Sequence, residues 1–172
     1  MKQIAAPLIL SVSLLAGLAQ ADGINAGIEL QEKVSLADIG LPGYPGAVQV
    51  HEGKDGKEDK GAFSLNLWGG SFGMKLSILK YRSADSIEQV GQFYREAMGR
   101  YGKVLDCSMT APSDDDKSEK KSIALHCSKD DVKAGKLVIK VGKDDKHFRM
   151  VALERQAKGV EFQLLNLAIS SE

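Results

Sequence analysis

Alternating apolar and polar positions predict a sheet in the middle of this chain. Over 62–68 and over most of 72–82, every second residue is apolar, as in a strand with one buried face. The charged stretch 53–61 and the Gly69-Gly70-Ser71 stretch are the predicted hairpin connections. Further strands are predicted at 47–51, 103–109, 122–128, 136–142 and 147–156.

One segment, from about 86 to 101, has the apolar spacing of a helix with a single buried face. Asp85 can cap its N-terminus, and Glu88 can complete a capping box. Gly102 follows where helix ends favour glycine. Gly91 costs about 1 kcal/mol inside a helix, which predicts that the helix approaches the sheet closely at this point.

Two further segments have less regular patterns. The last apolar run, 160–169, fits neither period cleanly; the turn-like Lys158-Gly159 before it favours a strand, and a helix is the alternative. Near the N-terminus, a short helix-like stretch at 28–39 is followed by seven residues that contain two prolines and three glycines. Such a composition cannot continue a helix and predicts fixed turns over 40–46.

Together these elements predict an α+β protein. We expect an antiparallel, meander-rich sheet with one long amphipathic helix (about 86–101) packed on one face, because short polar connections favour antiparallel pairing. The expected organisation is an N-terminal extension and Pro/Gly turn over 22–46, followed by a single α+β domain over 47–172.

The first 21 residues have the three parts of a secretory signal. A positive charge at Lys2 precedes an apolar run over 4–18, which ends in a small-x-small site at 19–21. We expect cleavage between Ala21 and Asp22. The apolar run has about fifteen residues, whereas a bilayer core needs roughly twenty; an uncleaved membrane anchor is the alternative. The pattern indicates a bacterial-type periplasmic or secreted protein with no stable membrane anchor after cleavage.

The charge balance narrows the classes of partner. The 172 residues include 23 basic and 23 acidic ones, and loss of Lys2 with the signal would leave one acid in excess. A near-neutral chain lacks the basic excess that phosphate backbones require, so we expect no nucleic-acid partner. The partners that stay open are a protein, an envelope component or a small ligand.

Cys107 and Cys127 are the only cysteines, and an exported chain with two cysteines predicts one disulfide. Two free thiols are the alternative. The bridge would close a loop of about twenty residues and stabilise the fold by roughly 3 kcal/mol. If the two cysteines face each other in a hairpin, their apolar neighbours share one face, which predicts a bridge on the core side.

The same register places Ser108 opposite His126, with Asp106 as a diagonal neighbour. These are the residue types of a hydrolase triad, but a triad also needs an oxyanion hole and a buried acid behind the histidine. The residues at 69–73 match G-x-S-x-G, yet the following segment is a predicted strand instead of the helix that a nucleophile elbow requires. No catalytic residue is therefore assigned.

No metal or cofactor site is predicted either. The acidic runs at 114–116, 130–131 and 144–145 lack the ligand spacing of a calcium loop. The three histidines, His51, His126 and His147, stand alone, without the paired spacing of a zinc site.

Tyr44, Trp68 and Phe72 are the aromatic residues expected near a surface, and the first two are candidates for surface contact. Tyr44 lies in the Pro/Gly turn, and Trp68 lies at a strand end beside two glycines. A position in the core or at its edge is the alternative for both, since aromatic side chains usually bury.

Residues 41–102 resemble a loose group of small exported bacterial domains, most of them uncharacterised. The resemblance rests on the turn at 42–47, which reads P-x-Y-P-G-A, and on the helix pattern S-x-D-s-x-e-x-V-x-x-F-Y that starts at Ser83 and ends at Phe93-Tyr94. It implies a turn, a strand pair and a helix in that order, together with an exported location. It carries no catalytic residues.

The sequence therefore predicts an exported, non-enzymatic binding or interaction module without a cofactor. Two alternatives stay open. One is a small serine hydrolase that uses Ser108 and His126, or Ser71. The other is an envelope assembly subunit that pairs through an exposed sheet edge.

Overall fold

Eight strands pair into one antiparallel sheet in the part of the chain that the structure describes. The structure is a computed structural model, which describes residues 25–50, 61–108 and 124–171. The strands are β1 (Ala26–Gln31), β2 (Val48–Gln49), β3 (Ala62–Gly69), β4 (Phe72–Ser83), β5 (Leu105–Asp106), β6 (Lys136–Asp144), β7 (His147–Arg155) and β8 (Val160–Ser171). Their order is β1-β3-β4-β8-β7-β6-β5, and β2 pairs with β4.

The predicted α+β class with a long helix is wrong, because the chain is β-rich. Among the described residues, helical structure is confined to α1 (Leu36–Ile39), α2 (Ile87–Met98) and a 3₁₀ turn at Gly99–Tyr101. The two central strands are longer than their apolar alternation indicated: β4 and β8 each have 12 residues and pair along their whole length. The favoured strand at 160–169 is present as β8. The single amphipathic helix covers only part of this sheet.

The helix-like stretch at 28–39 contains a strand and one turn of helix. β1 pairs with β3 over six residues, with Ile28 opposite Leu67 and Leu30 opposite Leu65. These two residues alternate with Gly27 and Glu29, which is the strand period. Helix α1 begins only after Ser35, whose side chain and backbone both bond Asp38, and it ends at Gly40 with φ +71°. Tertiary pairing overrides local propensity here.

The main core lies between α2 and one face of the sheet. Helix α2 packs against β6 and β7. A Cβ atom at Gly91 would overlap the Leu137 side chain, so the glycine permits the predicted close approach. The largest fully buried side chains of this core are Ile39, Leu79, Val90, Tyr94, Met98, Ile139, Leu153, Phe162 and Leu164.

The capping box of α2 lies one residue later than predicted. The cap is Ser86. Its hydroxyl accepts a hydrogen bond from the backbone N–H of Gln89, and the side-chain oxygen of Gln89 accepts one from the backbone N–H of Ser86. Asp85 instead accepts a 2.7 Å hydrogen bond from the Tyr44 hydroxyl. Asp85 and Ser86 are both good caps with a suitable residue three positions later, and the tertiary bond to Tyr44 decides between them.

The predicted strands around the cysteines are mostly absent. Within 103–109, only the two residues of β5 are in a strand, and they pair with β6. The described part of 122–128 contains no strand. The backbone N–H of Cys107 donates to the carbonyl of Val138. Strand β6 therefore lies beside Cys107, where the predicted cysteine hairpin required residues 122–128.

Gly159, in the turn between β7 and β8, offers a test of this fold. It has φ +80°, and a Cβ atom would overlap the carbonyl oxygen of Ser83. We expect Gly159→Ala to lower the free energy of unfolding by about 1–3 kcal/mol, measured by urea denaturation. Gly135 has φ +78° with open space around its Cβ position. Gly135→Ala is thus the control for backbone strain alone, and equal losses in both variants would contradict the close contact at Gly159.

Candidate interaction surface

The sheet has apolar side chains on both faces. Buried Ser77 and Leu79 of β4 point to the side that carries α1 and α2. Their neighbours Leu76 and Ile78 point to the opposite side, because successive side chains of a strand alternate between faces. We call this opposite side the open face, since no helix of the described residues packs on it.

Apolar residues on the open face form cross-strand rows. The central row runs from Leu30 of β1 through Leu65, Leu76 and Leu167 to Phe148 of β7. Two flanking rows have the same apolar character, and Phe72 extends the face at its end. The flanking rows are Ile28, Leu67, Met74 and Ile169 on one side, and Phe63, Ile78, Leu165 and Met150 on the other.

The exposure of the open face increases toward its edge strand. Ile28 is 76% exposed, Leu30 57% and Phe72 43%, whereas the residues of β3, β4 and β8 in the rows are half-buried. None of these residues belongs to the apolar clusters that make up the core, except Met150 at the far end. An apolar patch of this extent on a sheet face marks a contact surface.

Charged residues at one end of the open face include two cross-strand ion pairs. Arg82 of β4 pairs with Glu161 of β8 at 2.9 Å, and Lys136 of β6 lies 3.6 Å from Glu154 of β7. Both are cross-strand neighbours. Lys80 of β4 lies on the same face between Ile78 and Arg82, so this end of the face has three basic and two acidic side chains.

The predicted disulfide between Cys107 and Cys127 is confirmed, with a Cα–Cα distance of 5.5 Å. Its location differs from the prediction. The bridge packs with Val138, Met150 and Ala152 in a second, smaller cluster on the face opposite α2. It holds residues 124–133, the disulfide segment, over the β6 end of that face.

A buried ion pair anchors the same segment. Lys140 of β6 is only 9% exposed, and its ammonium donates to Asp131 at 2.7 Å and to the His126 carbonyl at 3.1 Å. Asp131 also accepts from the backbone and the hydroxyl of Ser128. Burial raises the pKa of Asp131, but the hydrogen bonds from Lys140 and Ser128 outweigh it and hold that pKa below the ordinary value.

Ser108 and His126 do not form the candidate triad. The Ser108 hydroxyl donates to Asp106 at 2.6 Å, and the other oxygen of Asp106 accepts from Arg95 of α2. His126 instead lies 3.1 Å from Asp145. The juxtaposition required the 122–128 segment to pair with β5, and its described part is not a strand. The Ser108 hydroxyl is therefore bonded to the Asp106 carboxylate, and the predicted contact with His126 is not formed.

The G-x-S-x-G match lies in a hairpin turn. Gly70 has φ +57° and connects β3 to β4, so a strand follows Ser71 and no nucleophile elbow exists here. Ser71 lines a shallow cleft of about 530 Å³ together with Lys146 and His147. Lys146 donates to Ser171, and His147 is paired with Asp144 at 3.1 Å.

The two aromatic candidates for surface contact have different environments. Trp68 is 44% exposed, on the helix-bearing side of the sheet, with its indole over Gly27. Tyr44 is half-buried: its ring packs edge-on against Phe93 at 5.2 Å, while its hydroxyl bonds Asp85. The hydrogen bond to Asp85 raises the pKa of Tyr44.

Several predicted positions lie outside the described residues. They include the cleavage site at Ala21 and Asp22, His51, and the acidic run 114–116. In the described ranges, no helix is long and apolar enough to cross a membrane, and no three acidic, histidine or cysteine side chains come together as metal ligands.

Comparisons with protein-family models, with curated proteins and with solved structures find no match to this chain. The described residues define the protein by its architecture: a single antiparallel sheet with helices on one face and an apolar second face.

Sequence reasoning did not identify the open face. A signal for it was present in pairs of adjacent apolar residues, Ile78-Leu79, Met150-Val151 and Leu164-Leu165, since neighbours in a strand point to opposite faces. One amphipathic helix can cover only one of those faces. The pairs became informative only once the register aligned them across β4, β8 and β7.

The ion pair at Lys140 generates a prediction about acid stability. Asp131→Asn leaves the Lys140 charge buried without its counterion, so we expect a loss of about 3–5 kcal/mol in the free energy of unfolding near neutral pH. Because the folded-state pKa of Asp131 is lowered, the wild-type contribution is present above about pH 4 and is lost as the pH falls through the folded-state pKa. The difference between the two proteins should therefore shrink in acid.

Urea denaturation between about pH 7 and about pH 3 measures this difference. The adjacent Asp130 forms an exposed pair with Lys133, so Asp130→Asn is the matched control and should change stability little. A loss in Asp131→Asn that is no larger than in this control would contradict the role of the buried pair.

Proposed function

We propose that this protein is an exported, non-enzymatic interaction module whose contact surface is the open face of its sheet. The observation that carries the proposal is the set of three apolar rows across β1, β3, β4, β8 and β7, on a face that no described helix covers. Exposed apolar patches of this extent are typical of proteins that bind another surface.

Three features of the chain support export. The N-terminal pattern of charge, apolar run and small-x-small site is that of a secretory signal. The Cys107–Cys127 disulfide fits an oxidising compartment. The resemblance of 41–102 to small exported bacterial domains supports the same location.

Pairing through a sheet edge is a second candidate. β1 is an edge strand of six residues, five of them exposed, and it contains neither proline nor lysine, the residues that usually protect edges. The open face is the stronger candidate because its apolar rows extend over five strands, whereas the edge offers one.

The first test concerns export and maturation. We expect the protein recovered from the envelope or medium of its expressing cells to begin at Asp22 and to contain no free thiol, because the signal is removed and the cysteines are oxidised. Intact-mass spectrometry with and without reduction and alkylation measures both properties. A chain that keeps residues 1–21, or one that alkylates without reduction, would contradict the corresponding part of the proposal.

The second test concerns the open face. Leu76→Thr/Leu167→Thr places two hydroxyls at the centre of the middle row with residues that suit strands. We expect the dilute wild-type protein to enhance the fluorescence of anilinonaphthalene sulfonate, which binds apolar surfaces, and the double variant to lose most of this enhancement.

Val132→Thr is the matched control, because Val132 is 40% exposed but lies on the disulfide segment. Circular dichroism establishes that each variant is folded. Dye binding that is equal in the wild type and the double variant would refute the open face as the contact surface.

A further inference from the structure

A cleft lies between α2 and the start of β6, on the helix-bearing side of the sheet. Its volume is about 320 Å³, and pockets for small ligands have roughly 300–1,000 Å³. Ile87 and Leu137 are its apolar lining residues, and Glu88, Arg95 and Arg155 bring charged groups to it. The open face is on the other side of the sheet, so this cleft is separate from the proposed contact surface.

Both arginines of the cleft are held by carboxylates. Arg95 donates from Nε to Asp106 at 2.6 Å, and the Asp106 side chain is only 13% exposed. The other oxygen of Asp106 accepts from the backbone N–H and the hydroxyl of Ser108, which also lines the cleft. Arg155 donates from Nη2 to Glu88. Two residues of the candidate triad, Asp106 and Ser108, therefore orient an arginine.

The two guanidinium groups approach the same part of the cleft. The Arg95 side chain extends back along α2, and its Nη1 atom lies 3.5 Å from the position that a Cβ atom would take at Gly91. Gly91 and Glu88 lie one turn apart on one side of the helix, about 4.5 Å along its axis. Since Arg155 bonds Glu88, an anionic group placed between Arg95 and Arg155 can contact both.

The cleft has unused hydrogen-bond donors, whereas its carboxylate acceptors are engaged. A guanidinium has five N–H groups, and among the described residues each of the two arginines uses one of them. Asp106 accepts from Arg95 and Ser108. Glu88 accepts from its own backbone N–H and from Arg155, and both bonds lower its pKa. The cleft therefore offers a ligand cationic donors that need acceptors.

We infer that this cleft binds a small organic ligand through an oxyanion group, a carboxylate or a phosphate, held between Arg95 and Arg155. Planar guanidinium groups match both oxyanions with paired N–H···O bonds. Asp106 and Glu88 fix the arginines before a ligand arrives, which lowers the entropy cost of binding. The inference is independent of the open face, so no outcome of its test bears on the proposed function.

Titration of the isotope-labelled protein with benzoate and with phenyl phosphate, followed by NMR at constant ionic strength, tests this inference. We expect saturable shifts of the amide signals of 87–95 and 135–137. The probe that saturates at the lower concentration identifies the preferred oxyanion group. Benzamide, a neutral analogue of benzoate, should cause no saturable shifts at the same concentrations.

Substitutions of the two arginines identify the donors. Arg155→Gln removes a guanidinium from an exposed ion pair, so we expect a folded protein whose dissociation constant for the better probe is at least about 10-fold higher. Arg95→Gln should have the same effect, and Arg95→Lys an intermediate one, because lysine keeps the charge without the paired donors. Arg82 forms a similar pair with Glu161 on the open face, so Arg82→Gln is the matched control and should bind as the wild type does.

Circular dichroism establishes that each variant is folded, and Arg155→Gln decides the test if Arg95→Gln does not fold. No saturable shifts with either anion up to tens of millimolar would overturn the inference, and so would an equal response to benzamide and benzoate. A dissociation constant that changes equally in Arg155→Gln and Arg82→Gln, or in neither, would also overturn it.

Discussion

The pairing of β4 with β8 is the contact on which the rest of the structure depends. The two strands align over twelve residue pairs, from Phe72 with Ser171 to Ser83 with Val160. Both strands have apolar residues on both faces, so the pairing builds two apolar surfaces at once. Helices α1 and α2 cover one of them, and the disulfide segment covers the β6 end of the other. The open face is the remainder, a direct consequence of the central register.

Polar side chains of the helix-bearing face determine how the N-terminal part is held. The carbonyl groups at the end of α1 accept hydrogen bonds from the sheet side chains Asn166 and Arg149 and from the Tyr101 hydroxyl. Arg149 also stacks on the Tyr101 ring at 4.4 Å. A helix of four residues has no independent stability, so these bonds fix its position. The turn that follows α1 then carries Tyr44 to Asp85, immediately before the cap of α2.

The sequence predicted local elements better than their assembly. Strict alternation located β3 and β4, and helical spacing located α2, because these signals depend only on neighbouring residues. The cap of α2 lies one residue later than predicted, because Asp85 bonds the distant Tyr44. The strand predicted at 122–128 is absent from the described part of that segment, because β5 pairs with β6 instead. The disulfide followed from the presence of two cysteines in a chain with a secretory signal pattern. The open face could not be derived, because it depends on the register of five strands and on the side to which α2 packs.

The disulfide and the open face are two answers to the same physical problem. A helix that packs on one face of a sheet leaves the other face uncovered, so the second face of this eight-stranded sheet needs other cover. At β6 the chain supplies it with the Cys107–Cys127 bridge and the Lys140–Asp131 pair. From β7 to β1 the apolar rows have no such cover among the described residues. Their side chains are already ordered by their cross-strand neighbours, which lowers the entropy cost of association. A pre-ordered apolar face of this kind therefore suits a partner that brings an equally ordered apolar surface.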